Sequence, residues 1–182
     1  MKATGIVRRI DDLGRVVIPK EIRRTLRLRE GTPLEIFTDR EGEIILKKYS
    51  PMMELTTFAV QYAEAMAQST GLLVCITDRD QVIAVAGGAK KDLLQRNISR
   101  QLEQAINERN TVMAGREDKA FIQLVDEDLE GVSAQVVAPI ICEGDAIGAV
   151  ALMSREPRAK FGDMETKLAL TAAGFLGRQM EG

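Results

Sequence analysis

The sequence predicts a mixed α/β protein of two domains: a small β-rich head with one short helix, then an α+β domain with an antiparallel sheet. The hydrophobic pattern changes from strand-like to helical around Pro51, which disfavours helix at the residue before it. Charge divides at the same place, with a net charge of +4 before the break and −6 after it. Beyond the break, five strand-like runs are interspersed with helical stretches. We therefore expect a head over residues 1–50, a linker over 51–55 and a second domain over 56–182.

Short strands and one helix make up the predicted head. Pro19 suits the first position of a helix, where its missing N–H costs nothing. A domain of about 50 residues buries only roughly 60% of its unfolded surface, so a second copy of the chain is the simplest source of a shared core. The predicted elements are strands Ala3–Ile10 and Arg15–Ile18 around a turn at Asp11–Gly14, a helix from Lys20 to about Leu28, and strands Pro33–Thr38 and Glu43–Tyr49 around a turn at Asp39–Gly42.

Helices before, among and after five strands predict the second domain. Apolar side chains recur at helical spacing in Glu54–Ser69, in Leu93–Arg109 and from Asp163 to about Met180, where Asp163 is the expected N-cap. The predicted strands are Leu72–Thr77, Val82–Ala86, Ala120–Val125, Val132–Cys142 and Ala146–Met153.

The composition narrows the possible functions. The 182 residues include two cysteines and no histidine, which excludes His-based metal sites and any mechanism with an imidazole base. We expect no metal, no cofactor and no enzymatic activity. No apolar run of 18 residues is present, and the first residues lack the pattern of a signal peptide. We therefore expect a cytoplasmic, nucleoid-associated protein that binds no membrane, with both thiols reduced.

Cationic side chains concentrate at the start of the chain. Residues 1–29 carry nine Lys and Arg against three acidic residues, an imbalance that costs self-repulsion unless a polyanion binds. On the predicted helix, Ile22 and Leu26 lie about 40° apart and mark the buried face, with the cationic side chains opposite. Because Trp is absent and aromatic residues are scarce here, duplex DNA fits better than a single strand. The candidate DNA-binding residues are Lys2, Arg8, Arg9, Arg15, Lys20, Arg23, Arg24 and Arg27.

The same residues carry a family resemblance. Thr4–Leu26, with the run Gly14-Arg15-Val16-Val17-Ile18-Pro19 and the pair Arg23-Arg24, closely resembles the DNA-binding segment of the AbrB-like transition-state regulators, and Ile44–Tyr49 resembles its last strand. The resemblance implies an intertwined swapped-hairpin β-barrel made by two chains. It also implies a transcription regulator of sporulation genes, acting as activator or repressor. By position, the family's DNA contacts fall on Arg8, Arg15, Arg23 and Arg24, with Lys2, Arg9 and Lys20 as auxiliaries.

The second domain resembles a GAF domain in element order and in the phrases Ile76–Ala84 and Gly144–Val150. GAF domains commonly hold a small ligand beneath the sheet's covering helices and dimerise through their bracketing helices. The resemblance thus implies a tetramer, with dimers through residues 1–50 joined by the GAF-like helices, and an effector of unknown identity. In Gly87–Lys91, backbone N–H groups and two ammonium groups could lie near an anionic effector. A solvated loop is the preferred interpretation of this segment, because a Gly-Gly pair next to lysines lacks the spacing of a phosphate loop. The candidate effector-binding residues are Thr77, Gly87, Gly88, Lys90 and Lys91.

Two alternatives remain open for the second domain. Some GAF-like domains are cysteine-dependent redox enzymes, and Cys75 or Cys142 could in principle be the nucleophile. Both cysteines lie in strand-like apolar runs, where buried and inert thiols are expected. The other alternative is a domain that binds no ligand and only joins dimers.

Overall fold

A computed structural model of the chain describes residues 5–49, 56–127 and 129–181. The chain forms two compact units, Met1–Tyr49 and Ser50–Gly182. Each unit is described by itself.

The head contains one short helix and one β-hairpin. Helix α1 spans Lys20–Thr25, and the antiparallel strands β1 and β2 span Leu34–Thr38 and Ile44–Lys48. The hairpin turn is closed by Asp39, whose Oδ1 accepts hydrogen bonds from the backbone N–H of Glu41 (3.0 Å) and Glu43 (2.9 Å). Gly42 supplies the positive φ that the turn requires. The predicted hairpin is therefore confirmed.

Two predicted strands of the head do not form within one chain. In the described part of the head, residues 5–10 and 15–18 lie in no strand. Their turn is present, because the Asp11 N–H donates to the Arg15 carbonyl (3.0 Å) and the Gly14 N–H to the Asp11 carbonyl (3.0 Å). Helix α1 also ends three residues before the predicted Leu28.

The second unit is built on a five-stranded antiparallel sheet, as the sequence predicts. In chain order the elements of the unit are α2 Thr56–Thr70, β3 Leu73–Asp78, β4 Val82–Ala86, α3 Lys90–Leu93, α4 Arg100–Glu108, β5 Val112–Gly115, β6 Ala134–Cys142, β7 Asp145–Ser154 and α5 Asp163–Gln179. The strand order in the sheet is β4-β3-β7-β6-β5.

Both faces of this sheet are covered, which makes three layers. Alternate residues of β3 point to opposite faces: Val74 and Ile76 pack with the apolar sides of α2 and α5. Leu73 and Cys75 pack with α4 and with the loops on the other face. Because neither face meets water, the central strands are almost continuously apolar in sequence rather than alternating.

Three sequence predictions for this unit are wrong. The predicted helix Leu93–Arg109 is interrupted, because Gln95 has a positive φ and Ser99 starts a new helix by accepting a hydrogen bond from the Leu102 N–H (3.1 Å). The predicted strand Ala120–Val125 is a loop, and β5 occurs at Val112–Gly115 instead. The expected cap Asp163 is the first residue of α5, preceded by Gly162, whose N–H donates to the Glu165 carboxylate (2.8 Å).

Candidate nucleic-acid interface

Helix α1 separates apolar from cationic side chains. Ile22 and Leu26 line an open cleft, whereas Lys20, Arg23 and Arg24 are exposed and do not line it. The Leu28 N–H donates to the Arg23 carbonyl (2.7 Å) and the Arg27 N–H to the Arg24 carbonyl (3.2 Å), which ends the helix after one and a half turns. The short helix therefore presents a cationic surface that includes two adjacent guanidinium groups.

A compact turn fixes the backbone around Arg15. Asp11 Oδ1 accepts hydrogen bonds from the backbone N–H of Leu13 (3.0 Å) and Arg15 (2.8 Å), and Oδ2 accepts one from Arg15 Nε (2.8 Å). These bonds, the Arg15 backbone N–H first and its side chain next, hold the pKa of the Asp11 carboxyl below its usual value. The Arg15 side chain is 69% exposed, and its contact with Asp11 does not use the two Nη nitrogens that suit phosphate or base edges.

The remaining candidate DNA-binding residues are placed differently from one another. Arg8 and Arg9 are exposed on the segment before the turn, and Arg8 also lines the cleft. Arg27 is half-buried with a φ of 52°, so it follows α1 instead of continuing the helical stripe. Lys2 lies outside the described residues.

The cleft beside α1 is apolar and has a volume of about 590 Å³. Among the described head residues Pro19 alone is buried, while Val7 is 85% exposed and Val17 71% exposed. This density of exposed aliphatic side chains is unusual for a soluble protein. The cleft is lined by Ile6, Arg8, Val16, Val17, Ile18, Pro19, Ile22, Leu26, Leu28, Leu34, Leu46, Lys47 and Lys48.

The predicted effector residues of the second unit do not form one cluster. Thr77 is fully buried near the end of β3, about 13 Å along the strand from Leu73, which lies beside Gly87. A Cβ on Gly87 would lie 2.3 Å from the Leu72 carbonyl oxygen, so this glycine serves the close approach of two backbones. Gly88, Lys90 and Lys91 are exposed.

A different part of the second unit encloses a small cavity. Gln135 of β6 is fully buried, and neither its Oε1 nor its Nε2 has a hydrogen-bond partner within the described chain. The cavity holds about 10 Å³. Sequence reasoning missed this site, although Gln135 is a polar residue inside the apolar run Val132–Cys142. The cavity is lined by Leu93, Arg116, Phe121, Ile122, Gln123, Leu124, Val125, Leu129, Val132, Gln135 and Met153.

Neither cysteine is placed for thiol chemistry. Burial raises the pKa of the Cys75 thiol to about 12. Cys142 is half-buried, and burial followed by the nearby carboxylates of Glu143, Glu181 and Asp145 raises the pKa of its thiol. Since the thiolate is the nucleophile, both environments oppose activation.

The described ranges contain neither a cluster of metal ligands nor a helix that could cross a membrane. No group of three or more potential metal-ligating side chains occurs in residues 5–49, 56–127 and 129–181. Within the same ranges, no helix has the length and apolar character needed to span a bilayer.

Two family models match the chain. The one described as "Stage V sporulation protein T C-terminal, transcription factor" matches residues 54–181. The one described as "Antidote-toxin recognition MazE, bacterial antitoxin" matches residues 7–53.

Similar proteins cover the whole chain or one unit of it. Stage V sporulation protein T of Bacillus subtilis is 56% identical over 181 residues, covering 100% of this chain and 99% of the relative. Transition state regulatory protein AbrB of the same organism is 64% identical over 53 residues, covering 29% of this chain and 54% of the relative. A GAF domain region of a Geobacter sulfurreducens protein shares the fold of the second unit, with a TM-score of 0.55 and 16% identity over 70% of this chain and 93% of that one.

Proposed function

Because the chain belongs to the stage V sporulation protein T family of transcription factors, we propose that it regulates sporulation genes by binding duplex DNA through its head. It activates some promoters and represses others. The observation that carries the proposal is the set of exposed cationic side chains held around one turn and one short helix: Arg8, Arg9, Arg15, Lys20, Arg23 and Arg24. Arg27 and Lys2 complete the proposed contact set.

The proposed contacts to DNA are of two kinds, to phosphates and to base edges. Arginine forks donate paired hydrogen bonds to phosphate oxygens and to guanine edges in the major groove. Helix α1 is only six residues long, so a large share of the affinity comes from phosphate neutralisation. Selectivity then comes from a few arginine contacts to bases and from the deformability of the DNA.

We propose that two heads share one core. The head has an apolar cleft that is open in one chain, and its described segments 5–10 and 15–18 form no strand there. A second copy supplies strands for the backbone and aliphatic side chains for the cleft, as the swapped-hairpin resemblance implies. Two-fold symmetry then doubles the cationic surface.

A second interface through α2 and α5 completes the proposed tetramer. These helices lie on one face of the sheet, where Phe175 stacks on Phe58 (5.6 Å between ring centroids) and on Tyr62 (5.3 Å). On α5, Met164 is 68% exposed and Leu170 47% exposed, so apolar area remains for another copy. Four heads in one assembly can bridge DNA sites and gain affinity by avidity.

The proposal also assigns a role to each part of the chain. The head comprises residues 1–50, residues 51–55 link the domains, and residues 56–182 form the GAF-like domain that assembles the tetramer and senses a small molecule. The protein acts in the cytoplasm on the nucleoid and is not an enzyme. The raised pKa values of both thiols support the last point.

The test compares two arginines of the same head. Arg24→Ala removes a guanidinium from the proposed surface, whereas Arg40→Ala removes one from the exposed turn between β1 and β2. We expect Arg24→Ala to weaken binding of the full chain to a promoter duplex by about 10- to 100-fold. Arg40→Ala should change the affinity by less than about threefold, since long-range charge alone is screened by salt.

Fluorescence anisotropy measures both affinities, and circular dichroism checks that each variant remains folded. Equal losses in the two variants would indicate binding by net charge alone. Unchanged affinity of a folded Arg24→Ala variant would refute the proposed surface.

A further inference from the structure

The small cavity at Gln135 indicates which class of molecule the second domain senses. This inference rests on the proposed sensing role. Gln135 occupies a position in β6 opposite Met153 of β7 and Ala114 of β5, in the interior of the sheet. Its amide is fully buried, and neither polar atom has a hydrogen-bond partner among the residues that the structure describes. Leaving a buried donor and acceptor unpaired is costly, and folded proteins rarely tolerate it without a role.

We propose that Gln135 is the recognition group of a site for a small, mostly apolar molecule that carries a lactam or carboxamide edge. A primary amide offers one acceptor and two donors side by side. Its best complement presents a donor and an acceptor on neighbouring atoms, so that two parallel hydrogen bonds form. A lactam or carboxamide has this arrangement.

The walls of the cavity define the rest of the ligand. Apart from Gln135 and the rim residues Arg116 and Gln123, the lining side chains are aliphatic, aromatic or thioether. The Arg116 guanidinium lies 4.9 Å from the centroid of the Phe121 ring, which places a positive charge beside the cavity. These surroundings favour an uncharged apolar body with an electronegative carbonyl group.

The cover of the cavity is a loop that binding must displace. At about 10 Å³ the cavity admits no more than one water. The cover between β5 and β6 contains no helix or strand in its described residues 116–127 and 129–133. Its backbone is anchored at both ends and to the start of α4: the Arg116 N–H donates to the Ser133 carbonyl (2.8 Å) and the Ser99 N–H to the Leu124 carbonyl (2.9 Å). The Ser99 hydroxyl also donates to the Gln123 carbonyl, the Gln123 N–H donates to Gln101 Oε1 (3.0 Å), and Val125 pairs with Ile98 in an isolated antiparallel bridge. Opening this cover breaks those bonds and exposes the buried side chains Ile122, Leu124 and Val125, so the free energy of binding must offset that cost.

The experiment measures the thermal unfolding of the full chain with a matched pair of probes. The first is δ-valerolactam, and the second is N-methyl-2-piperidone, which keeps the ring and the carbonyl but lacks the N–H donor. We expect the lactam to raise the Tm of the second domain in a dose-dependent way, by about 3–6 °C at ten times its Kd. The N-methyl compound should have little effect.

Two variants identify the group responsible. Gln135→Met keeps the length of the side chain and removes both unpaired atoms, so we expect its own Tm to exceed that of the wild type and the lactam response to disappear. Gln104→Met, at an exposed position of α4, should keep the wild-type Tm and the wild-type response.

Other results would overturn the inference. A cavity that merely holds a water predicts no lactam response and a lower Tm for Gln135→Met. Equal responses to both probes, or a response that survives in Gln135→Met, would also contradict it. Promoter-duplex binding by the wild type is measured in parallel. A wild type that responds to the lactam but does not bind the duplex would contradict the DNA-binding proposal. A wild type that binds the duplex but does not respond to the lactam would contradict only this inference.

Discussion

Among single residues, Asp11 links local structure to the proposed DNA surface. Its carboxylate accepts two backbone N–H groups and Arg15 Nε, which holds its pKa below the usual value of 3.8. A carboxyl whose pKa is lower in the folded than in the unfolded state stabilises the fold above its unfolded pKa. That contribution is lost as the pH falls through the folded value.

We therefore predict that the Asp11 carboxyl titrates below pH 3.8 in carbon-detected NMR and that the turn loosens as it protonates. Asp11→Asn should remove this pH dependence and reduce DNA affinity at neutral pH, because Arg15 loses its ion pair and its positioning. Asp12→Asn, one residue along, is the matched control. A normal midpoint for Asp11, or equal effects of the two variants, would show that the turn does not depend on the carboxylate.

The sequence is informative about single residues only where chemistry is local. The exposure of Arg23 and Arg24 follows from the helical period of their neighbours, and the structure has both exposed. Gln135 could have been singled out as a polar residue in an apolar strand. Its lack of hydrogen-bond partners among the described residues could not be predicted from the sequence, because it depends on side chains from β5, β7 and a distant loop.

Among the elements, errors occur where a pattern has two structural explanations. Ile122 and Leu124 are buried and Gln123 is exposed, so the alternation typical of a strand is real, yet this segment packs on the start of α4 without a neighbouring strand. Strand β5, only four residues long, was not predicted. The long strands β6 and β7 were predicted to within one residue or two, because their length and β-branched content leave little ambiguity.

The close packing of α5 on the sheet leads to a prediction with an internal control. A Cβ on Gly177 would lie 2.1 Å from the Ile141 carbonyl oxygen, whereas a Cβ on Gly174 would meet nothing within 4 Å. We expect Gly177→Ala to lower the free energy of unfolding by about 2–3 kcal/mol, because helix and strand must separate. Gly174→Ala should raise it by about 0.5–1 kcal/mol through helix propensity.

Urea unfolding followed by circular dichroism measures both variants of this pair. Similar free energies for Gly177→Ala and Gly174→Ala would mean that α5 does not approach β6 as closely as described.

For the whole molecule, the head has less buried core than a stable domain needs, and this deficit could be anticipated from its length alone. The interleaved pairing could not be derived from periodicity, because strands that pair with another chain look like any others. The proposed tetramer makes a quantitative prediction. Four chains of 20.0 kDa give about 80 kDa by light scattering.

We expect that each proposed interface can be disrupted without disrupting the other. Val17→Asp, in the apolar cleft, and Leu170→Asp, on α5, should each reduce the mass to about 40 kDa, because a buried carboxylate opposes association. The two together should give monomers of about 20 kDa. A tetramer that survives either single change would locate that interface elsewhere.

The salt dependence of DNA binding tests the central claim most directly. The proposed DNA surface has six exposed cations in each head, so two heads carry twelve: Arg8, Arg9, Arg15, Lys20, Arg23 and Arg24 from each chain. Each phosphate contact contributes about −0.9 to the slope of log Kobs against log salt. If at least half of these cations contact phosphate, full-length protein on a promoter duplex should show a slope of about −5 or steeper. A slope shallower than about −2 would contradict an electrostatic DNA-binding surface built from these arginines.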